Sequence, residues 1–447
     1  MEPNRLFKRK IYSQLLKWKQ ESRGKSALLI EGARRIGKST IVKSFAKNEY
    51  KSFIFIDFTK CSQDVKNLFN DTSNLDYIFL RLQLAYGVQL KERESLIVFD
   101  EVQFQPLARQ AIKSFVDDHR YDYIETGSLI SIRKNTENIL IPSEEERISM
   151  YPMDYEEFRW ALGDTATIPL LRGVWEHPQP LNEVHRKLIR DFRLYMLVGG
   201  MPQAVNAYLE SNNFEVVDKA KRLILDLYDE DFNKIDPSGR ASRIFSAIPA
   251  QLSSNASRYR ISSVIPKARA EDYIELVSEM EKSRTVNVSH HCDDPNVGLA
   301  SSESLEQYKM FVGDTGLFVT LAFRDKSFTE NIIYERLLSD KLAANLGYLY
   351  ENVVAQMLTA SGNKLFYHTW PTESEKHNYE VDFLLSRGIK ILPIEVKSSS
   401  YKTHASLDAF CKKYSSRIAN ERYLIYSKDY FREESVKYLP VYMAYFL

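Results

Sequence analysis

One short segment has the residue types and the spacing of a phosphate-binding loop. Residues 32–39 read Gly-Ala-Arg-Arg-Ile-Gly-Lys-Ser and fit the pattern G-x-x-x-x-G-K-[ST] in full. Gly32 and Gly37 allow the backbone to curl, so that successive N–H groups point at one phosphate. Lys38 is expected to reach the β- and γ-phosphates, and the Ser39 hydroxyl to hold Mg²⁺. The predicted nucleotide-binding residues of the loop are Gly32, Ala33, Arg34, Arg35, Ile36, Gly37, Lys38, Ser39 and Thr40.

Two acidic residues end an apolar strand pattern further along the chain. The pattern SLIVFD covers residues 95–100 and is followed by Glu101. The C-terminal ends of parallel strands line one crevice, so Asp100 can stand beside Ser39 and help to bind Mg²⁺. Glu101 is then placed to polarise the attacking water as a general base. The alternative is a strand that ends in solvated acids.

A short polar residue follows the next strand pattern. Residues 122–127 (DYIETG) lead into Ser128. At the same crevice, Ser128 is able to contact the γ-phosphate or orient water. A serine that caps a helix or closes a turn explains the same position.

The last part of the chain contains a second group of chemically active residues. Asp382 lies in a strand pattern, and Glu395 and Lys397 lie in the next one, where alternation puts both on one side. Glu351 lies in an upstream helical stretch. Carboxylates and a lysine in one place can bind a divalent cation and activate water for attack on a phosphodiester.

The elements that position these residues follow from the periodicity. Strand patterns alternate with helical patterns through the first 150 residues, which predicts an α/β fold with a parallel sheet. The predicted strands of this sheet are 27–30, 52–58, 95–100 and 122–127. Residues 5–22 read as a basic amphipathic helix, which is either a packed helix with a solvated face or a binding arm. Beyond residue 150 the patterns are helical, then mixed, and residues 236–330 show no catalytic arrangement.

Composition excludes several classes of protein. The chain has 447 residues, a net charge of +1 and 44% hydrophobic residues, which is typical of a globular protein and not of a disordered one. It shows no run of about 18 uncharged apolar residues, which a membrane span would need. The charged residues at the N-terminus are not followed by the apolar segment of a secretory signal. The three cysteines offer no disulfide framework. We therefore expect a cytoplasmic protein without a membrane span.

The motifs of the first half resemble those of AAA-type P-loop ATPases, within a prokaryotic group related to the signal-transducing (STAND) ATPases. The resemblance rests on Glu31–Thr40 (EGARRIGKST), Asp100–Gln103 (DEVQ), Thr126–Ser128 (TGS), Tyr151–Phe158 (YPMDYEEF) and a Gly-Gly-Met-Pro turn ending at Pro202. It implies ATP and Mg²⁺ as cofactors and a contact between Pro202 and the nucleotide. The alternative is that the two glycines end a helix and Pro202 prevents its continuation.

The order helix–Glu, strand–Asp, strand–ExK resembles the restriction-endonuclease-like PD-(D/E)xK fold. The resemblance implies that Glu351, Asp382 and Glu395 bind metal and that Lys397 stabilises charge on the attacked phosphate. Val381 stands where the nominal proline would be. The same fold also serves as a catalytically silent binding surface, and both interpretations stay open.

Three domains are predicted: an ATPase domain with a helical extension at 1–235, a winged-helix-like connecting unit at 236–330, and a nuclease-like α/β domain at 331–447. The leading hypothesis is an ATPase whose nucleotide state controls the last domain, which acts on or binds nucleic acid, DNA being favoured over RNA. The alternative is a non-catalytic, ATP-dependent switch that oligomerises with itself and recruits a protein partner. A motor that translocates on nucleic acid is a third hypothesis.

Overall fold

A computed structural model describes residues 5–127, 142–254, 256–339, 347–373, 377–398, 402–433 and 435–447. The chain divides into two compact units, Met1–Tyr151 and Pro152–Leu447. Within the described ranges, no helix is both long and apolar enough to cross a membrane.

The first unit is built on a five-stranded sheet. Its strands are β1 (Ala27–Glu31), β2 (Ser52–Asp57), β3 (Ser95–Asp100), β4 (Asp122–Gly127) and β5 (Glu145–Ser149). They lie in the order β2-β3-β4-β1-β5, and every neighbouring pair is parallel. The parallel sheet confirms the predicted α/β fold, although β5 was not among the predicted strands. Its α-helices are Ile11–Ser22, Lys38–Glu49, Gln63–Asn67, Leu75–Tyr86, Pro106–Gln110 and Ile112–Asp117.

The central strands of this sheet are apolar because both of their faces are covered. Every residue of β1, β3 and β4 is buried, as expected for a parallel sheet between layers of helices. Aromatic rings fill the core: Phe99 of β3 packs against Phe69 and Phe115, with ring centroids 5.4 and 6.0 Å away. This packed layer carries the strand ends next to which the predicted nucleotide-site residues of the first unit lie.

The second unit contains a mixed sheet of eight strands. They are β6 (Val286–Cys292), β7 (Glu303–Val312), β8 (Leu365–Pro371), β9 (Asn378–Arg387), β10 (Lys390–Lys397), β11 (Arg422–Tyr426), β12 (Phe431–Glu433) and β13 (Val436–Pro440). Their order is β12-β13-β11-β10-β9-β8-β6-β7. The pairs β6–β8, β10–β11 and β11–β13 are parallel, and the others are antiparallel.

Helices precede, connect and cover these strands. The α-helices are Tyr155–Ala161, Thr167–Glu176, Glu183–Val198, Pro202–Ser211, Phe214–Ile235, Arg240–Ser246, Ile248–Ser253, Ile261–Val264, Ile274–Lys282, Thr315–Ala322, Asn331–Leu338, Gly347–Ala360 and Ala405–Lys413.

The division of the second unit differs from the three predicted domains. Strands β6 and β7 lie in the predicted connecting unit, yet β6 pairs with β8 beyond residue 330. One sheet therefore runs across the predicted boundary, and the predicted helical extension to residue 235 belongs to the same compact unit as that sheet. Local periodicity marks strands but does not reveal pairing between strands that are distant in sequence.

Candidate functional site

The glycines of the phosphate-loop motif occupy positions that other residues resist. Gly32 has φ 154° and Gly37 has φ 97°, both in the region that favours glycine. A Cβ on Gly32 would lie 2.3 Å from the carbonyl oxygen of Met150 and 2.5 Å from Cδ1 of Ile36. The loop after β1 therefore follows a path that a side chain at residue 32 would block.

Lys38 lies inside the curl of this loop. Its Nζ donates hydrogen bonds to the carbonyl oxygens of Gly32 (2.8 Å) and Ala33 (2.9 Å), and the residue is buried. The helix Lys38–Glu49 begins at the same residue, so the positive end of its dipole faces the loop. The ammonium group and the helix N-terminus lie together here, and both can bind phosphate groups.

Asp100 is the point at which two hydroxyl groups meet. Ser39 Oγ donates to Asp100 Oδ1 over 2.7 Å, and Thr126 Oγ1 donates to the same oxygen over 2.5 Å. Asp100 is buried. Since β4 lies between β1 and β3 in the sheet, its Thr126 stands between the loop and Asp100. The structure thus brings Ser39 and Asp100 together, and hydroxyl and carboxylate oxygens are donors that suit Mg²⁺.

Glu101 is held in an unusual backbone conformation at the end of β3. Its φ of 56° and ψ of 50° lie in the left-handed region, which costs a residue other than glycine of order 1–3 kcal/mol. Its N–H donates to Thr126 Oγ1 over 3.4 Å, and Gln103 Nε2 donates to Glu101 Oε2 over 2.5 Å. Hydrogen bonds therefore hold both the backbone and the side-chain carboxylate of Glu101, as expected for a residue that takes part in catalysis.

Sequence reasoning missed Arg9 as part of this site. The buried guanidinium donates to the carbonyl oxygens of Ile36 (2.9 Å) and Tyr151 (2.6 Å). It therefore joins the middle of the phosphate loop to the segment that follows β5. The predicted helix with a solvated face gave no signal for this role, because Arg9 precedes the helix Ile11–Ser22 and points inward.

The structure does not test the predicted roles of two further residues. Ser128 lies outside the described residues. Pro202 begins the helix Pro202–Ser211, so it occupies a first-turn position that suits proline. Its contact with a nucleotide stays a prediction.

The glycine pair before Pro202 is fixed by a buried aspartate. Gly200 N–H donates to Asp314 Oδ2 over 2.6 Å, and Asp314 Oδ1 accepts from Leu317 N–H over 2.9 Å. A Cβ on Gly199 would lie 2.3 Å from Asp314 Oδ1. Burial raises the pKa of Asp314 despite these hydrogen bonds. Asp314 thus caps the helix Thr315–Ala322 and also holds the turn.

The C-terminal carboxylates also come together, around a lysine that the sequence did not indicate. The side chain of Lys309, on β7, is only 6% exposed. Its Nζ lies 3.6 Å from Glu351 Oε2 and 3.6 Å from Asp382 Oδ1, and it donates to Glu380 Oε1. Although burial alone would lower it, the three carboxylates hold the pKa of Lys309 well above its ordinary value.

Glu395 and Lys397 form a pair beside this group. Lys397 Nζ lies 2.7 Å from Glu395 Oε1, and Val396 N–H donates to Asp382 Oδ2 over 2.8 Å. Burial, followed by the charge of Asp382, raises the pKa of Glu395 to about 8. Burial likewise raises the pKa of Glu351 to about 7. Near neutral pH these two acids therefore carry protons for part of the time.

The predicted metal set of Glu351, Asp382 and Glu395 is not arranged around a common centre. In the part of the chain that the structure describes, no three His, Cys, Asp or Glu side chains form a group that could hold a metal ion. The ammonium of Lys309 stands between Glu351 and Asp382, and Glu395 turns to Lys397. These residues do not fit a divalent cation in this arrangement.

Three protein-family models match parts of the chain. Residues 24–159 match the model of the AAA domain. Residues 189–327 and 346–443 match two models described as "Domain of unknown function", DUF8612 and DUF4143. No curated protein sequence matches the chain.

Solved structures are similar at low identity. The Walker-type ATPase PABY2304 of Pyrococcus abyssi is 16% identical, with a TM-score of 0.42, over 71% of this chain and 96% of that one. A STAND protein with a tetratricopeptide repeat sensor, PH0952 from Pyrococcus horikoshii, is 12% identical, with a TM-score of 0.27, over 80% of this chain and 46% of that one. Cdc6p from Pyrobaculum aerophilum is 13% identical, with a TM-score of 0.23, over 76% of this chain and 97% of that one.

Proposed function

We propose that the AAA domain at residues 24–159 binds ATP with Mg²⁺ and hydrolyses it. One observation carries the proposal: Ser39 and Thr126 both donate to Asp100 Oδ1, beside a loop that encloses the Lys38 ammonium. Lys38 would neutralise the β- and γ-phosphates, and Ser39 and Asp100 would hold Mg²⁺ directly or through water. Glu101 would take a proton from the attacking water.

Substitution of Asp100 tests this assignment. Asp100→Asn keeps the shape of the side chain but removes the charge that Mg²⁺ requires. We expect Mg²⁺-dependent ATP turnover to fall at least about 100-fold, since losing one charged contact to the metal costs several kcal/mol, while ATP without metal still binds. Asp57→Asn is a matched control, because Asp57 ends β2 in register with Asp100 and its side chain bonds only to Thr59 and Lys60 within the described residues. Equal turnover in the two variants would contradict the assignment.

We infer for the second unit that the nucleotide state of the AAA domain controls it, and that it acts on or binds nucleic acid. The predicted nuclease residues are Asp382, Glu395 and Lys397, with Glu351 as a further acid. Because the Lys309 ammonium lies between Glu351 and Asp382, their arrangement supports binding of nucleic acid over metal-dependent cleavage. The test is incubation of DNA or RNA with Mg²⁺ or Mn²⁺ under ATP, ADP and nucleotide-free conditions, using wild type and Asp382→Ala. Cleavage that the variant loses would establish a nuclease, and intact substrate throughout would establish a silent fold.

The second candidate is a non-catalytic, ATP-dependent switch that oligomerises and recruits a protein partner through the C-terminal unit. The placement of Lys309 among the acids favours it. Slow ATP turnover, no cleavage and nucleotide-dependent association in sedimentation measurements would support the switch. Association that is the same with ATP, with ADP and without nucleotide would contradict it.

A further inference from the structure

The four acids of the cluster in the second unit come from two strands and a helix. Glu380 and Asp382 come from β9, Glu395 from β10 and Glu351 from the helix Gly347–Ala360. Lys309 comes from β7, at the edge of the sheet, and two strands, β6 and β8, separate β7 from β9. The lysine therefore reaches the acids over neighbouring strands and not through direct pairing.

The contacts of Lys309 are those of a central cation. Its Nζ meets an oxygen of each of three carboxylates, at 3.6 Å for Glu351 and Asp382 and at hydrogen-bond distance for Glu380. A buried ammonium is costly unless charged groups compensate it, and a buried carboxylate is costly for the same reason. The lysine and the acids thus stabilise one another, and the lysine already supplies the positive charge.

Two further oxygens of the cluster also have partners within the chain. Asp382 Oδ2 accepts from Val396 N–H, and Glu395 Oε1 is paired with Lys397. Glu395 Oε2 is buried and makes no hydrogen bond to any residue that the structure describes. Asp382 and Glu395 each therefore already have one oxygen engaged by another group of the chain.

A divalent cation would have to share these oxygens with the ammonium. Mg²⁺ and Ca²⁺ bind oxygen ligands at about 2.0–2.6 Å, so an ion between Glu351 and Asp382 would lie where Nζ lies. Two cations that close repel each other strongly in a buried site. Occupation by metal would therefore require Lys309 to leave and its charge to find other partners.

We propose that Lys309 is the built-in cation of this cluster, and that its ammonium replaces a divalent metal ion at Glu351 and Asp382. The C-terminal unit then binds no divalent metal there, whereas the same acids without the lysine charge would form a metal site. The inference concerns the second unit alone, so it stands or falls independently of ATP binding.

The test is a calorimetric titration of the full-length, nucleotide-free protein with Mn²⁺ alone. The first comparison is wild type against Asp382→Asn. We expect the two proteins to bind Mn²⁺ identically, because any weak binding at Ser39 and Asp100 is common to both. A wild-type site that Asp382→Asn loses would overturn the proposal.

The second comparison removes the lysine charge. Lys309→Met keeps the length of the side chain, and we expect it to gain a Mn²⁺ site at least tenfold tighter than any shown by wild type. Adding Asp382→Asn should abolish the gain, and Lys309→Arg, which keeps the charge, should show none. A folded Lys309→Met protein that gains no site would overturn the proposal, and if it does not fold, the first comparison decides.

Discussion

Thr126 is expected to matter to ATP turnover although no motif position names it as catalytic. Its hydroxyl is fully buried, donates to Asp100 Oδ1 over 2.5 Å and accepts from Glu101 N–H over 3.4 Å. Thr126→Val replaces the hydroxyl with a methyl group of similar size, so it removes these hydrogen bonds without leaving a cavity. Asp100 then keeps one hydroxyl donor, Ser39.

The size of the effect follows from the charge on Asp100. A hydrogen bond to a charged group contributes about 1.5–3 kcal/mol to stability. We therefore expect Thr126→Val to lower the free energy of unfolding by about 2 kcal/mol. If the orientation of Asp100 is needed for Mg²⁺, the same loss appears in kcat/KM as a decrease of about 10- to 100-fold, at 1.4 kcal/mol for each factor of ten.

The assay is Mg²⁺-dependent phosphate release, together with urea denaturation. Thr126→Ser retains the hydroxyl and should stay within about threefold of wild-type kcat/KM, a difference of well under 1 kcal/mol. Thr320→Val is the matched control for stability, because Thr320 is also fully buried and donates to a buried carboxylate, Asp218 Oδ1, over 3.1 Å. It should lose stability without losing ATP turnover.

One result would refute this reasoning. If Thr126→Val and Thr320→Val both lose stability but both turn over ATP as wild type does, Asp100 does not need the Thr126 hydroxyl. The geometry at the end of β3 and β4 would then be structural only.

Three further predictions address the loop and the acidic cluster. Gly32→Ala should abolish ATP binding, measured with a fluorescent analogue, because the new Cβ would lie 2.3 Å from the carbonyl oxygen of Met150. The control is Gly173→Ala, in a helix where a Cβ meets no neighbouring atom. This variant should bind ATP normally and gain about 0.5–1 kcal/mol of stability. Arg9→Met should weaken ATP binding about tenfold or more, because the loop loses a buried charged donor to its backbone; unchanged affinity would exclude that role. Glu395→Gln should become more stable relative to wild type as pH rises from about 5 to about 8, by up to about 1.4 kcal/mol per pH unit. The reason is that the raised pKa of Glu395 in the folded protein makes the unfolded chain release this proton first, which lowers the stability of wild type. Urea midpoints of the two proteins that change in parallel at all pH values would contradict the prediction.

The part of the site that sequence predicts well is the part set by local patterns. The phosphate-loop motif defines its own conformation, and parallel strands bring Ser39 and Asp100 to one edge. Thr126 as a partner of Asp100 was not predicted, because that role depends on β4 lying between β1 and β3. Strand order is a property of the whole sheet and cannot be predicted from the sequence of a single strand.

The acidic cluster shows the same limit more strongly. The spacing of Asp382, Glu395 and Lys397 predicted that they meet, since neighbouring strands β9 and β10 carry them. Lys309 lies in a segment interpreted as a separate unit, and its approach depends on β6 pairing with β8. The prediction therefore found the acids and missed the cation that determines what they do.

The central claim is that the loop at residues 32–39 binds ATP for hydrolysis, and Lys38→Ala tests it most directly. Lys47→Ala, an exposed lysine on the same helix, is the control. The measurement is Mg²⁺-dependent release of phosphate from ATP by the purified wild type and the two variants. We predict turnover by wild type and Lys47→Ala and none by Lys38→Ala; ATP turnover by Lys38→Ala at the wild-type rate would contradict the claim.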